Sequence, residues 1–544
     1  MKEFIEQAVN QACQELFGAT AEAGLTRPDE QFGDYSTNVA LQLAKQVGKN
    51  PREVGEALAA KLRDSLAGTV AEVSLAGPGF INLKLTDEAL LKTLDETPAQ
   101  SLEGQEVLVE FGDPNPFKEM HIGHLYSYVI GDVISHLLEV VGAQVRRLSY
   151  HGDVGLHVAK AIWAMQKDGF DNATVGDPIR NNMGLFYAKG AAAYLEDENA
   201  KKEIDAINLQ VYEQADSIRE LYEQGRERSF ANFDLTLEDL NIEKAHRYLE
   251  SETAPVGVEM VRQNVGRVFE ESDGAIVYKG EKAGLHTRVF ITGKGLPTYE
   301  AKDLGLTELK NRDYPNAKLS IIITAHEQAE YFKVMLAALK EINSSVADKT
   351  QHMSHGFVSL STGKMSSRTG DVYGAISLLT DVKEAVERLY KDAAHDVQIG
   401  AIKYEFIKHR LGGDIIYDVA ESVSLEGNSG PYLQYAHARA RSILRKTAGE
   451  AAMPANAELE ASERSLARKI GEYTEVVNKA VNELMPHHIA TYLYELSQTF
   501  NRFYEHNRVL GDERQPLRLA LVKQYADTLS KGLSILGIAS PDKM

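Results

Sequence analysis

At 544 residues the chain is too long for a single hydrophobic core and should divide into several domains. Its 43% apolar and 25% charged residues are those of a globular protein. The lone Cys13 excludes a disulfide framework or multi-cysteine zinc site, and a net charge of −20 excludes indiscriminate nucleic-acid binding through the overall field.

The N-terminal MKEFIEQAVNQACQELF alternates acids and apolar residues at helical spacing, without the basic start and apolar block of a signal peptide. With no apolar run long enough to span a bilayer, the expected location is the cytoplasm. Residues 1–103 read as a small α+β unit: a helix, a loop entering a second helix, and VSLAGPGFINLKL alternating as strand around a bend at Gly77-Pro78-Gly79. From about Gln105 the pattern turns α/β. Val107–Phe111 is a short apolar strand broken by Asp113-Pro114-Asn115-Pro116. A helix comes next with Val133, Ile134, Leu137, Leu138 and Val141 on one face, and VRRLSYHGDVG is the next strand and turn. Strand, loop, helix, strand is a βαβ unit, the seed of a doubly wound parallel sheet.

Charged helical material at about 165–265 reads as an insertion, and short strands return near AIVYKG, RVFIT and LSIIITA. From about Asp381 the chain is almost wholly helical, ending in a bundle. The boundaries are therefore set at 1–103, 104–380 with its insertion, a helical stem at 381–424, and a helical unit at 425–544.

Two segments carry chemistry. Lys118-Glu119-Met120-His121-Ile122-Gly123-His124 sits between the first βαβ strand and its helix. Gly123 lets a ligand approach the backbone, the helix N-terminus offers unpaired N–H groups to an anion, and the two histidines can face phosphates. A His-rich helix start or a pair of metal ligands would look the same from the tetrapeptide alone; the βαβ position favours phosphate. Far downstream, Ser361-Thr362-Gly363-Lys364-Met365-Ser366-Ser367-Arg368-Thr369-Gly370 has the glycines and small hydroxyl residues of a loop that closes over a nucleotide.

This pair resembles the signature of class I aminoacyl-tRNA synthetases, and the longer strings resemble the arginyl-tRNA synthetase family nearly end to end. FGDYSTNVALQLA and GPGFINLKL are similar to its N-terminal domain, VEFGDPNPFKEMHIGHL to its catalytic signature, and EGNSGPYLQYAHARARSIL and TYLYELSQTFNRFY to its anticodon-binding helices. Arg518-Leu519-Ala520-Leu521 is a close variant of its D-A-L-R tetrapeptide. The implied fold is α/β, with a Rossmann-type parallel-sheet catalytic domain, an α+β N-terminal domain and an all-α C-terminal anticodon-binding bundle.

The resemblance implies activation of arginine by ATP with Mg²⁺, transfer to tRNA(Arg), a tRNA requirement for activation, no zinc, no membrane partner and a monomer. It assigns the ATP phosphates to His121, Gly123, His124, Lys364, Met365 and Ser366. Ser367 stands where a second lysine is usual, and Lys118 occupies the place of the lysine that compensates. Arginine binding falls to Glu110, Asn115, Tyr299 and Asp303, with Gln328 or Glu327 adding a polar contact. A guanidinium is a planar fork that a carboxylate meets in bidentate fashion, which suits Asp303; a surface salt bridge is the plain alternative. For RNA, Tyr432, Tyr435, Arg439, Arg441 and Arg445 on one helix and Asn501, Phe503 and Tyr504 on another offer stacking and charge, although aromatics of a bundle core give the same pattern. The family's Leu-Arg-Ser after the second histidine is replaced by Leu125-Tyr126-Ser127-Tyr128, which is expected to alter either helix packing or contacts near the substrate.

Overall fold

A computed structural model describes residues 1–170, 183–361, 373–390, 394–446, 453–454 and 457–544. The first unit packs helices Lys2–Phe17, Val39–Val47 and Pro51–Ser65 on a three-stranded antiparallel sheet. Its strands are β1 (Tyr35–Thr37), β2 (Val70–Ala76) and β3 (Phe80–Leu85), in the order β1-β3-β2. The bend read from Gly77-Pro78-Gly79 is the β2–β3 turn, where Gly77 has φ 55° and Gly79 φ 149°.

The central sheet contains β4 (Glu106–Glu110), β5 (Gln144–His151) and β6 (His246–Leu249). A separate antiparallel sheet comes next in the chain, made of β7 (Glu270–Ser272), β8 (Ala275–Tyr278) and β9 (Arg288–Ile291). The chain then returns to the central sheet with β10 (Leu319–Ala325) and β11 (Thr350–His355). Last come β12 (Val358–Leu360) and β13 (Ile415–Tyr417), a parallel pair of their own.

All pairings in the central sheet are parallel, in the order β11-β10-β4-β5-β6. Both faces are covered, so consecutive strand residues enter different cores: Val107 and Val109 join helix Ile122–Val140, whereas Leu108 meets Leu306 and Leu309. β4 connects outward to β5 on one side while β10 returns on the other. The strand order thus reverses beside β4, leaving a crevice at the C-terminal ends of β4 and β10.

Three sequence expectations need correcting. The 165–265 stretch is not wholly insertion: after helices Gly184–Glu196, Glu198–Glu213 and Asp216–Glu238 it supplies β6, the edge of the central sheet. AIVY and RVFI are strands but belong to the small antiparallel sheet, where they pair with each other and pack Tyr278, Phe290 and Ile291 into one apolar cluster. The helical C-terminal region begins at Ala375 and is interrupted by β13.

Candidate active site

The connection leaving β4 frames the crevice. Glu110 ends the strand, Asp113 and Phe117 take positive φ angles (54° and 67°) in the connection, and helix Ile122–Val140 begins after His121. The two histidines build that helix start reciprocally. The Gly123 N–H donates to His121 Nδ1 at 3.1 Å, and the His121 N–H donates to His124 Nδ1 at 3.2 Å. The rings stack with centroids 3.6 Å apart. Burial, with Lys118 and His355 nearby, pushes His121 down to about 4, and burial with His121 and Lys118 holds His124 well below the ordinary histidine range. Both rings are therefore neutral with Nδ1 as acceptor, which leaves the Nε2–H of each as a donor. Uncharged donors at a helix N-terminus suit phosphate oxygens.

Lys118 lies beside them with its ammonium 5.1 Å from the Tyr187 ring, its pKa lowered by burial and then by Lys160. Backbone pairing brings the distal end of the second motif here as well. The Ile122 N–H donates to Tyr373 O at 3.1 Å and the Ala375 N–H to Met120 O at 2.8 Å. Lys364, Met365 and Ser366 fall outside the described residues; the flanking Ser361 comes directly after β12, and Tyr373 lies against the histidine turn.

Helix Tyr299–Asp313 crosses the crevice floor. It packs on helix Glu250–Gln263 by direct backbone contact: a Cβ at Gly305 would lie 2.1 Å from Thr253 O, and one at Gly257 1.8 Å from Ala301 O. This closeness buries side chains of both helices. Lys302 donates to Glu250 Oε2 at 2.6 Å, and Lys310 is ion-paired with Glu110. Asp303, 6% exposed, differs. It accepts a 2.8 Å hydrogen bond from the Tyr331 hydroxyl, and among the described residues no basic side chain pairs with it. Burial pushes its pKa up to about 8; the Tyr331 hydrogen bond opposes this, and Glu110 and Glu250 add to it.

The remaining arginine-site expectations divide. Asn115 accepts from the Gly152 N–H at 3.0 Å, so its carbonyl ties the β4 and β5 loops together. Tyr299 is 67% exposed at the rim. Gln328 is exposed too, its amide oxygen 3.5 Å from the Tyr331 hydroxyl; Tyr331, three residues on, is what reaches Asp303. Sequence reasoning missed Tyr331, Glu250, Lys302 and Lys310. Tyr331 lay in the AHEQAEYF stretch singled out for a polar contact, three residues past Gln328, and Lys302 adjoins Asp303; Glu250 and Lys310 carried no signal.

Tyr126 and Tyr128 are packing residues. Tyr126 meets His355 edge-on at 4.9 Å and Phe406 at 5.4 Å; Tyr128 meets Phe111 at 5.9 Å and covers Gly112, where a Cβ would lie 2.4 Å from its ring.

On the helical domain, Tyr435 is 44% exposed, and Arg439 sits 4.6 Å over the Tyr504 ring on the neighbouring helix. Asn501 donates to the Tyr432 hydroxyl at 2.9 Å. These five form one face. Arg441 and Arg445 instead hold the C-terminal tail, at the Asp542 carboxylate (2.9 Å) and the Asp542 carbonyl (2.8 Å). Phe503 is 1% exposed in the bundle core, so it cannot stack on a base as expected: its i, i+3 spacing from Phe500 turns it inward. Arg518 is buried too, paired with Glu463 and Glu460.

The parallel sheet, the switch-point crevice and the reciprocal histidine turn define a class I tRNA synthetase catalytic domain. Residues 86–418 match the family model described as "tRNA synthetases class I (R), catalytic domain". Residues 3–85 match "Arginyl tRNA synthetase N terminal domain", and 433–544 match "DALR anticodon binding domain". The arginine–tRNA ligase of Synechococcus sp. is 31% identical, covering 94% of both chains; that of Porphyromonas gingivalis W83 is 28% identical over 99% of both. The Thermus thermophilus arginyl-tRNA synthetase structure superposes with a TM-score of 0.85 at 26% identity, over the whole of both chains. The chain belongs to the arginyl-tRNA synthetase family.

Proposed function

We propose that this protein charges tRNA(Arg), and that Asp303 is the carboxylate that reads the arginine guanidinium. One observation carries the assignment. Of the buried carboxylates around this helix, Glu110, Glu250 and Glu300 already have Lys310, Lys302 and Arg288, whereas Asp303, among the described residues, has only a tyrosine hydroxyl and is mostly protonated at neutral pH. A buried acid with no counter-charge of its own favours a cationic ligand. Tyr299 at the rim closes over the side chain, and Asn115 fixes the loop against which the α-amino end lies.

Arginine's carboxylate oxygen then attacks the ATP α-phosphorus. The bond from that phosphorus to the oxygen bridging to the β-phosphate breaks, and pyrophosphate leaves. ATP enters with its Mg²⁺ as the substrate complex. The Nε2–H donors of His121 and His124 and the Lys118 ammonium take up negative charge on the phosphates as it shifts toward the leaving group. Lys364, Met365 and Ser366 complete the phosphate contacts. In the second step the terminal ribose hydroxyl of the tRNA attacks the adenylate carbonyl carbon, its proton is released, and AMP departs.

The chain divides, on this reading, at 1–103, 104–380, 381–424 and 425–544, acts as a cytoplasmic monomer, and meets the anticodon loop on the face bearing Tyr432, Tyr435, Arg439, Asn501 and Tyr504. Among the described residues no helix is long and apolar enough to cross a membrane. ATP–pyrophosphate exchange with each of the twenty amino acids, with and without tRNA, tests the assignment. Exchange is expected with arginine alone and only when tRNA is present. Exchange driven by another amino acid would remove Asp303 from its role.

A further inference from the structure

The helix that begins at the histidine turn carries Asp132 at its centre, wholly buried. Eleven residues separate Asp132 from His121, three turns and about 20° of rotation, so both lie on one line of the helix about 16 Å apart. Lys403, also wholly buried, donates to Asp132 Oδ2 at 3.1 Å. The other Asp132 oxygen lies 3.8 Å from Arg147 Nε and 3.7 Å from His136 Nε2, and Arg147 is anchored in turn by Glu139 at 2.6 Å and Glu243 at 3.3 Å. A buried pair of this kind adds little stability over apolar side chains of the same size, because desolvation offsets the attraction. Its location is more informative.

Lys403 belongs to helix Ala394–Ile407, which touches Gly430–Arg445, the helix bearing Tyr432, Tyr435 and Arg439, backbone to backbone. A Cβ at Gly430 would lie 2.1 Å from Gly400 O, and one at Gly400 2.4 Å from the Gln434 amide oxygen. Gly400 and Lys403 are one turn apart. The end of the last helix closes on the same node: Ile535 O faces His136 Nδ1 at 3.2 Å, and at Gly537 (φ 64°) a Cβ would lie 2.6 Å from Lys403 Nζ. Helices with direct backbone contact cannot shift independently.

We propose that Asp132 and Lys403 are positioning residues that lock the histidine-turn helix to the helical domain, so that tRNA held on the Gly430–Arg445 face sets the placement of His121 and His124. This rests on the tRNA-charging reading above. Among the described residues, Lys403 is the one cation from the C-terminal helices that reaches Asp132. The direction dependence of that ion pair fixes axial position in a way that apolar packing does not.

The test replaces the pair with apolar side chains, Asp132→Leu with Lys403→Met, in the full chain. Tm, kcat and KM for arginine in tRNA-dependent exchange, and the Kd for tRNA are then measured. A folded double variant is expected to keep its Tm, its KM and its tRNA Kd within about twofold, while kcat falls by about tenfold or more, the scale of coupling carried by such networks. Gly537→Ala, which keeps both charges but presses on Lys403, should lower kcat in the same selective way. A double variant with wild-type kcat overturns the proposal, as does a fall in kcat matched by weaker tRNA binding. Failure of the double variant to fold overturns it too, making the pair a folding requirement. Wild-type protein without arginine-dependent exchange would instead sink the functional reading on which this one depends.

Discussion

Asp303 makes the strongest claims at the scale of single residues. Without ligand its carboxyl is held protonated up to about pH 8, chiefly by burial, whereas a bound guanidinium requires the anion. On the proposed assignment arginine must displace a proton below about pH 8, so its Kd should rise as pH falls, by up to about tenfold per unit. Calorimetric titration from about pH 8.5 to about pH 6 in the presence of tRNA would show this slope, and a flat profile would place the guanidinium elsewhere. Asp303→Asn should weaken arginine binding by at least about 30-fold and abolish the slope. For folding the logic reverses: an acid whose pKa rises on folding withdraws stability as pH climbs from its unfolded value toward about 8. The same variant, free of ligand at about pH 8, should therefore melt at least about 2 °C higher than wild type. A site that destabilises the unliganded protein but favours the bound one is the usual trade.

Elements explain what a sequence reading reaches and where it stops. Helix Ile122–Val140 was legible from its apolar stripe and from the residues at its start. Helix Tyr299–Asp313 was not: YEAKDLGLTELKNRD has the look of a solvated helix, yet residues 300–307, 309 and 310 are buried. The polar residues hide because each of Lys302, Lys310 and Glu300 finds an ion partner on another element, Glu250, Glu110 and Arg288, and such pairing leaves no periodic trace. β6 escaped for a similar reason, since HRYL is short and polar at an edge. The two glycines that let this helix approach its neighbour give a direct check. Gly305→Ala should force the helices apart, costing about 1–3 kcal/mol in stability and raising the KM for arginine, as read by thermal melting and exchange kinetics. The bundle offers a paired comparison. Tyr435→Ala should weaken tRNA binding by about 5- to 100-fold with Tm unchanged, whereas Phe503→Ala should cost about 3–5 kcal/mol of stability. Equal effects of the two on Tm would refute the division between face and core.

For the whole molecule, the N-terminal unit is fastened to the helical domain. Arg464 donates to Asp34 at 2.6 Å and also pairs with Asp87, and Arg468 donates to Pro28 O at 2.6 Å. Arg27, stacked 4.0 Å over Tyr35, meets Glu475 at 2.6 Å, and the Tyr35 hydroxyl donates to the same carboxylate at 2.8 Å. Asp34 is 1% exposed, so losing its principal cation leaves a buried charge with only the longer, 3.5 Å cation contact to Arg468. Arg464→Ala should therefore lower stability by about 3–5 kcal/mol. Calorimetry should show this as an early transition separating from the main one; a single unshifted transition would mean that the clamp carries no load.

This clamp also sets an order of events at the ribosome. Arg27 and Glu475 are 448 residues apart in the chain, and Asp34 and Arg464 are 430 apart. At synthesis rates of about 5–20 residues per second, the N-terminal unit waits about 20–90 s for its partners. Throughout that interval Asp34 and Arg27 lack Arg464 and Glu475, the partners they have in the full chain. Ions and chaperones meet that surface before the rest of the chain does, and a nascent chain stalled before residue 464 presents it indefinitely.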